Sequence, residues 1–228
     1  MSSDVAPINL HAYHLAYAIL RVIFGWYIKT HPSGLEHVPP DGVATLFVAN
    51  HTSSVDVFAA GYALGRPAHF LSKVEVTRIP IFGPFLLACG AIPARRDQRD
   101  TEALRRMMAI LEAGGKIGLA PEGTRSPDGR VGAYDPGFVW LAARTGARIV
   151  PVAIHGARDL MPKGAQYPRP GHLWVRFGEP ISVADLGLRP SREAMETSAE
   201  AVRAQTLSML ADLVTQTGVG GPFQGEAA

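Results

Sequence analysis

The sequence predicts an α/β fold in which a mostly parallel central sheet is flanked by helices, with an N-terminal helix at a membrane interface. Short apolar runs of strand length alternate with helix-length segments between residues 43 and 217. This alternation is typical of a parallel sheet covered on both faces. Polar motifs directly follow predicted strands, and residues 10–28 are apolar around most of a helix circumference.

Length and composition favour one substantial domain. The chain has 228 residues, of which 47% are hydrophobic and 18% charged, which excludes a disordered protein. We predict a membrane-associating helix and linker in residues 1–35 and a single α/β domain in residues 36–228. The net charge of +2 is too small to indicate a nucleic acid partner, and we expect none. The single cysteine, Cys89, excludes an intrachain disulfide and fits a reducing compartment.

The first helix is predicted over residues 10–28. Spanning a bilayer takes about 20 apolar residues, and this segment barely reaches that length while carrying Arg21. We expect it to lie in the membrane interface, with Trp26 and Lys29 near the headgroups; the alternative is a helix that covers the core. The start of the chain lacks a basic n-region. We therefore expect no signal peptide, and a peripheral or monotopic protein on the cytoplasmic face of the cell membrane.

The remaining elements follow from apolar runs and from the glycines and prolines that bound them. The predicted strands are residues 43–49, 69–71, 116–120, 148–154 and 172–177, and the predicted helices are residues 57–64, 101–111, 138–144 and 191–217. Residues 32–42 are rich in proline and glycine and predict a turn-rich link. Residues 79–94 are almost wholly apolar but broken by prolines, which excludes one straight transmembrane helix. With cations on both sides, they predict either a surface for anionic lipid or a core hairpin with a basic edge.

The first polar motif, residues 50–56, lies between a predicted strand and a predicted helix. Within one regular helix His51 and Asp56 would face different directions, because five steps of about 100° separate them. On a turn, the Asp56 carboxylate can hold one imidazole nitrogen and leave the other free to take a proton from a hydroxyl. The alternative is an ordinary turn histidine followed by a first-turn acid. The candidate N-caps of the helix are Thr52, Ser53 and Ser54.

Two further polar positions follow strands, at Lys73 and at residues 121–126. Ligands collect at the carboxyl ends of strands in parallel sheets, so these positions are expected to converge with the first motif. Gly123 lets the backbone approach a ligand, and Arg125 offers a planar fork suited to two phosphate oxygens. Glu122 can orient that arginine or accept a hydrogen bond from a ligand hydroxyl. Taken alone, residues 121–126 also fit a simple turn.

Together these motifs resemble the sequence blocks of the glycerolipid acyltransferase family. The matching blocks are Asn50-His51 with Asp56, then Gly90-Ala91-Ile92-Pro93 with Arg96, then Pro121-Glu122-Gly123-Thr124-Arg125-Ser126, and finally Val150-Pro151-Val152-Ala153-Ile154-His155-Gly156. Their order and spacing extend over residues 36–180, most of the chain. Four ordered blocks are a specific signal, whereas the first block alone is a weak one.

The resemblance implies transfer of a fatty acyl chain from an acyl thioester, either acyl-CoA or acyl carrier protein, to the hydroxyl of a lysolipid at the membrane surface. His51 would act as general base and Asp56 would orient it, with no metal, no cofactor and no acyl-enzyme. The expected acceptor is 1-acyl-glycerol 3-phosphate, which would give phosphatidate. The residues expected to bind substrates are Arg96, Glu122, Gly123, Thr124, Arg125 and Pro151, to which charge and position add Lys73 and Arg95.

Three departures from the family pattern leave alternatives open. Ala120, Arg95 and Asp135 with Pro136 stand where the family more often has an aromatic, an acidic and a basic residue. The acceptor could then be a lyso-ornithine lipid or another lysophospholipid. Further alternatives are a thioester hydrolase, a non-catalytic lipid-binding module, and a metal site that includes His51 and His155. Zinc sites usually need three protein ligands, and the sequence holds no closely spaced pair of histidines or cysteines that favours such a site.

Overall fold

A seven-stranded sheet forms the centre of the protein in a computed structural model that describes residues 7–95, 100–162 and 164–219. The strands are β1 (Thr30–Ser33), β2 (Thr45–Ala49), β3 (His69–Lys73), β4 (Ala91–Ala94), β5 (Lys116–Leu119), β6 (Arg148–His155) and β7 (Leu173–Phe177). Their order in space is β1-β7-β6-β2-β5-β3-β4. Five neighbouring strands, β6-β2-β5-β3-β4, are parallel. β7 runs antiparallel to β6, and β1 runs parallel to β7, so the mostly parallel sheet is confirmed.

Eight α-helices are described, and together they cover both faces of the sheet. They are α1 (Leu10–Leu20), α2 (Asp56–Leu64), α3 (Val74–Thr77), α4 (Phe82–Ala88), α5 (Thr101–Glu112), α6 (Gly137–Thr145), α7 (Ala157–Leu160) and α8 (Arg192–Thr217). A π-helix (Arg21–Tyr27) continues α1, and 3₁₀ helices occupy Leu35–His37 and Ala184–Leu186. Asp100 and Ser191 cap α5 and α8 through side-chain oxygens, as helix-start signals predict.

The strands divide their side chains between two hydrophobic cores, one on each face of the sheet. In β6, Ile149 and Ala153 enter the core formed with α5, α6 and α8, whereas Val150 and Val152 enter the core formed with α2 and the π-helix. This division follows from the two-residue period of a strand. Both faces of the central strands are therefore buried, and the edge at their carboxyl ends is left for polar groups.

Two strands depart from the sequence prediction. Residues 32–42 were expected to be a link only, yet β1 includes Pro32 and Ser33 and pairs with β7. Three of its four residues are exposed, so its sequence lacks the apolar pattern of a strand, and Pro32 is tolerated because β1 is an edge strand. The apolar residues 79–94 form α4 and β4 rather than a hairpin, with Gly90 at a φ of 97° between them. The segment 1–35 thus contributes a strand to the central sheet.

The first helix lies on the surface of the domain, where Tyr17 stacks on Tyr62 of α2, and it enters the core only near its carboxyl end. None of the α1 residues is buried, whereas Phe24 within the π-helix and Ile28 directly after it are 2% and 0% exposed and join the core. The large exposed apolar side chains of this segment are Leu10, Leu15, Ile19, Val22, Trp26 and Tyr27. In the part of the chain that the structure describes, no helix has both the length and the apolar character needed to cross a membrane.

Candidate active site

The polar motifs converge where β2 and β5 end. These strands are parallel neighbours with Val48 opposite Leu119, so the segments that follow them leave the sheet side by side. The backbone N–H of Ser126 donates to the carbonyl of His51 (2.8 Å), which joins the two segments directly. The first and third motifs thus form one site, as the rule for parallel sheets predicts.

His51 and Asp56 form a hydrogen-bonded pair on the turn that precedes α2. His51 Nδ1 lies 3.0 Å from Asp56 Oδ2. The imidazole is 16% exposed and the carboxylate 4%, so the ring reaches solvent at the sheet edge while its partner is buried behind it. Within the described residues, Nε2 of His51 makes no hydrogen bond. This nitrogen is the one that can accept a proton from an incoming hydroxyl.

The backbone of the turn also holds the Asp56 carboxylate. Oδ2 accepts the N–H groups of Thr52 (2.7 Å) and Ser53 (2.8 Å) in addition to the imidazole. The predicted N-caps are wrong: the N-cap of α2 is Val55, and no side chain caps the helix. Asp56 lies in the first turn, where the helix dipole favours a negative charge, and its carboxylate binds N–H groups that precede the helix. The same carboxylate therefore shapes the turn and orients the histidine.

Asn50 connects this turn to the neighbouring strand β6. Its side-chain amide donates to the carbonyl of Ile154 (3.0 Å), and its side-chain oxygen accepts the N–H of Ile154 (2.8 Å). Asn50 is 1% exposed. β2 ends at Ala49, so Asn50 takes over the pairing with β6 at the position where the chain turns away. This fixes the start of the turn that carries His51.

Glu122 binds the backbone rather than Arg125. Its Oε1 accepts the N–H of His51 (2.9 Å), and its Oε2 accepts the N–H of Gly132 (3.0 Å). No ion pair between Glu122 and Arg125 occurs in the described part of the chain. Burial raises the pKa of the Glu122 carboxyl, and the two N–H donors act in the opposite direction. The sequence left the partner of Glu122 open, because both of its donors are backbone N–H groups, which any residue type can supply.

Gly123 and Arg125 complete the third motif. Gly123 has a φ of 67°, a left-handed conformation that favours glycine, and a Cβ there would meet no neighbouring atom within 4 Å. Thr124 is exposed. The Arg125 guanidinium donates to Ser54 Oγ (2.7 Å), which places it against the turn between His51 and Asp56. Its other guanidinium N–H groups make no hydrogen bond within the described residues, so they are available to a ligand.

Lys73 and Arg95 lie at the same sheet edge but on outer strands. Lys73 ends β3 opposite Ala94 of β4, and Arg95 follows β4 directly. Both side chains are exposed, and the backbone N–H of Arg95 donates to Asp100 Oδ2 (2.9 Å). β5 separates β3 from the strand that leads to His51. Arg96 lies outside the described residues.

Pro151 and His155 both lie in β6. Pro151 is buried, pairs with Val48, and accepts the N–H of Gly178 through its carbonyl (2.8 Å). His155 is 2% exposed, lies against Trp174, and has its Nε2 3.1 Å from the carbonyl of Val219. Burial lowers its pKa. Among the described residues, no three histidine, cysteine, aspartate or glutamate side chains are grouped as a metal site requires.

The fold and this site define an α/β protein with a histidine–aspartate pair at the carboxyl edge of a parallel sheet. A sequence profile described as Acyltransferase matches residues 29–155, more than half of the chain. The chain therefore belongs to the Acyltransferase family, which confirms the resemblance drawn from the four blocks. The matched region includes β1 to β6, and with them His51, Asp56, Glu122 and Arg125.

Named relatives and a solved structure agree with this assignment. The chain is 33% identical over 177 residues to a chloroplastic 1-acyl-sn-glycerol-3-phosphate acyltransferase of Arabidopsis thaliana, covering 75% of this chain and 49% of that protein. It is 27% identical over 168 residues to the Bacillus subtilis 1-acyl-sn-glycerol-3-phosphate acyltransferase, covering 73% of this chain and 81% of that protein. The chain thus spans about half the length of the chloroplast relatives that it matches.

The crystal structure of the 1-acyl-sn-glycerophosphate acyltransferase PlsC from Thermotoga maritima superimposes with a TM-score of 0.73. The two sequences are 26% identical, and the match covers 88% of this chain and 80% of the other. The similarity therefore extends to the architecture of nearly the whole chain, beyond the region that the family profile matches.

Proposed function

We propose that this protein transfers a fatty acyl chain from an acyl thioester to the free hydroxyl of 1-acyl-glycerol 3-phosphate, giving phosphatidate. The observation that carries the proposal is the hydrogen bond between His51 and Asp56 at the open edge of the sheet. The names of the relatives support the same acceptor. The donor is acyl-CoA or acyl carrier protein, and no metal or cofactor enters the proposed reaction.

In the proposed mechanism, Nε2 of His51 takes the proton of the acceptor hydroxyl as its oxygen attacks the thioester carbonyl carbon. The resulting tetrahedral intermediate expels the thiolate, which takes the proton back from the imidazolium. The buried Asp56 carboxylate stabilises the imidazolium and holds the ring through Nδ1. The acyl group passes directly to the acceptor oxygen, so the protein itself is never acylated.

The experiment that tests this proposal measures thiol release from acyl-CoA by the purified protein in detergent. The acceptors presented in turn are lysophosphatidate, lysophosphatidylcholine, a lyso-ornithine lipid and no acceptor. The proposal expects release that depends on lysophosphatidate and yields phosphatidate. Thiol release only with another lysolipid would assign a different acceptor. Equal thiol release without any lysolipid would mean that water is the acyl acceptor and that the protein is a thioester hydrolase. Replacing acyl-CoA by acyl carrier protein then identifies the donor.

Arg125 is expected to bind the acceptor phosphate in this reaction. Arg125→Ala should lower kcat/KM for lysophosphatidate by roughly 10- to 100-fold, because hydrogen bonds to charged groups contribute about 1.5–3 kcal/mol. The effect should be much smaller with monoacylglycerol, which lacks the phosphate. Steady-state kinetics with both acceptors measure the ratio. Arg130→Ala is the matched control, because Arg130 lies in the same loop with its side chain 66% exposed. Equal losses with both acceptors would exclude phosphate recognition by Arg125.

We further propose that the protein associates peripherally with the cytoplasmic face of the cell membrane through an apolar surface. This surface is formed by the first helix and α4, which contact each other. The N–H of Asn9 donates to the carbonyl of Ala88 (2.9 Å), and Ala12 contacts Cys89. Next to the exposed apolar residues of the first helix, α4 and its approach expose Ile79, Ile81, Phe82 and Leu87. Contiguous apolar surfaces of this kind are typical of membrane contact.

Ile81 offers a selective test of this surface. Its side chain is 90% exposed although its φ is 68°, a conformation that is costly for a β-branched residue. Ile81→Gly should therefore maintain or raise the free energy of unfolding, yet weaken binding to anionic phospholipid vesicles by about tenfold, because the variant lacks the apolar side chain that would be buried in the membrane. Sedimentation with vesicles measures the binding. Leu188→Gly, at an exposed position outside the surface, is the control, and unchanged binding by the Ile81 variant would exclude Ile81 from the contact.

A further inference from the structure

Residues 131–135, which follow the third motif, contact the active site on one side and α8 on the other. The N–H of Gly132 donates to Glu122 Oε2 (3.0 Å), and the N–H of Asp135 donates to the carbonyl of Pro121 (3.0 Å). Tyr134 is 7% exposed and lies in the same hydrophobic core as Val202 and Leu210 of α8. The segment therefore lies between the glutamate that holds His51 and the C-terminal helix.

Arg203 of α8 holds this segment through two backbone carbonyls. Its Nε donates to the carbonyl of Gly132 (2.8 Å), and one terminal nitrogen donates to the carbonyl of Val131 (3.2 Å). The other terminal nitrogen donates to Glu200 (2.8 Å) on the same helix. A guanidinium presents its donors in a rigid plane, so these bonds fix the two carbonyls relative to α8. The Arg203 side chain is 26% exposed, which limits competition from water.

We infer that Arg203 is a positioning residue for the active site. It fixes Gly132, whose N–H holds one oxygen of Glu122, and the other oxygen of Glu122 holds the backbone N–H of His51. Three successive hydrogen bonds thus connect Arg203 of α8 to the backbone of His51. α8 lies beyond residues 29–155, so this contribution comes from a part of the chain that the family profile does not include.

The geometry indicates how loss of Arg203 would act. Without it, Gly132 is free to move away from Glu122, and the carboxylate loses one of its two backbone donors. A Cβ built on Gly132 would lie only 3.3 Å from Glu122 Oε2, which shows how closely the segment approaches the carboxylate. Glu122, which accepts the N–H of His51, would then be fixed by one contact fewer. A displacement of about 1 Å at a catalytic group can cost up to about 10²-fold in rate.

The first test needs no substrate. Hydrogen exchange of the backbone amides of Gly132 and His51 is compared in the full-length wild type and in Arg203→Ala by NMR or mass spectrometry. We expect faster exchange at both amides in the variant. Arg192→Ala is the matched control, because Arg192 lies on the same helix in an exposed pair with Glu196 and should leave both amides unchanged. Unchanged protection of His51 in Arg203→Ala would overturn the inference whatever reaction the protein catalyses.

The second test rests on the proposed acyl transfer and separates positioning from general stability. Arg203→Ala should lower kcat about tenfold, with the KM of the acyl donor unchanged, and Arg203→Lys should recover part of the loss. In a Glu122→Gln background the Arg203→Ala change should have little further effect, since both residues act through one path. Additive losses in the double variant would overturn the inference. If Arg203→Ala does not fold, the same cycle is measured with Arg203→Lys.

Discussion

His51→Ala is expected to lower kcat for acyl transfer by about 10²- to 10⁴-fold, the usual contribution of a general base. The side chain supplies the only ring nitrogen in the described site that can accept the proton of the hydroxyl, with its other nitrogen 3.0 Å from Asp56. The fold should remain, because the contacts of residue 51 with Glu122 and Ser126 go through the backbone. The measurement is single-turnover acyl transfer from labelled acyl-CoA.

The control for this variant is His172→Ala. His172 is exposed at the sheet edge, where its ring stacks on His31, and the contacts of the described residues do not join it to His51 or Asp56. It should retain wild-type turnover. Circular dichroism and the unfolding temperature confirm that both variants are folded. A folded His51→Ala protein with near wild-type turnover would exclude His51 as the base and would leave only binding roles for the pair.

The parts of the fold that the sequence predicts are those with local signals. β2, β3, β5, β6, β7 and the long helices follow from apolar runs and from glycine ends, such as Gly146 after α6 at a φ of 70°. β1 has no such signal, because an exposed edge strand needs no apolar alternation and its pairing with β7 joins residues about 140 positions apart. The antiparallel direction of β7 relative to β6 likewise depends on the long connection between the two strands and not on the sequence of β7 itself.

The site shows the same limit. The spacing of His51 and Asp56 and the order of the four blocks predict the pair, and the structure brings it together with Glu122 and Arg125. What the sequence could not supply are the partners of the polar groups. Glu122 was expected to bind Arg125 or a ligand, but both of its oxygens accept backbone N–H groups. Any residue can supply an N–H group, so no residue type signals such a partner.

The same reasoning explains why Arg203 has no sequence signal. It donates to carbonyl oxygens of Val131 and Gly132, which are backbone atoms, and it lies on a helix whose exposed face carries several other charged residues. Only the packing of α8 against β6 and α6 brings it to the segment beside Glu122. The active site therefore depends on a helix that follows all four blocks in the chain.

Asp56→Asn and Asp56→Ala are expected to separate the two roles of the carboxylate. Asp56 Oδ2 accepts all three hydrogen bonds, from His51, Thr52 and Ser53, whereas Oδ1 has no hydrogen-bond partner among the described residues. An asparagine can place its oxygen at the Oδ2 position and retain the orientation of the ring while the negative charge is lost. Asp56→Ala loses both the orientation and the charge.

Asp56→Asn should therefore lower kcat by roughly 10- to 100-fold, the equivalent of about 1.5–3 kcal/mol for a bond to a charged group. Asp56→Ala should approach the loss seen with His51→Ala, because the ring is then free to rotate. The asparagine NH₂ group would occupy the Oδ1 position without an acceptor, so denaturant unfolding should show a loss of about 1–3 kcal/mol. Single-turnover rates measured below the unfolding transition keep the two effects apart. Equal rates for the asparagine and alanine variants would mean that charge alone matters, and wild-type rates for both would exclude Asp56 from the mechanism.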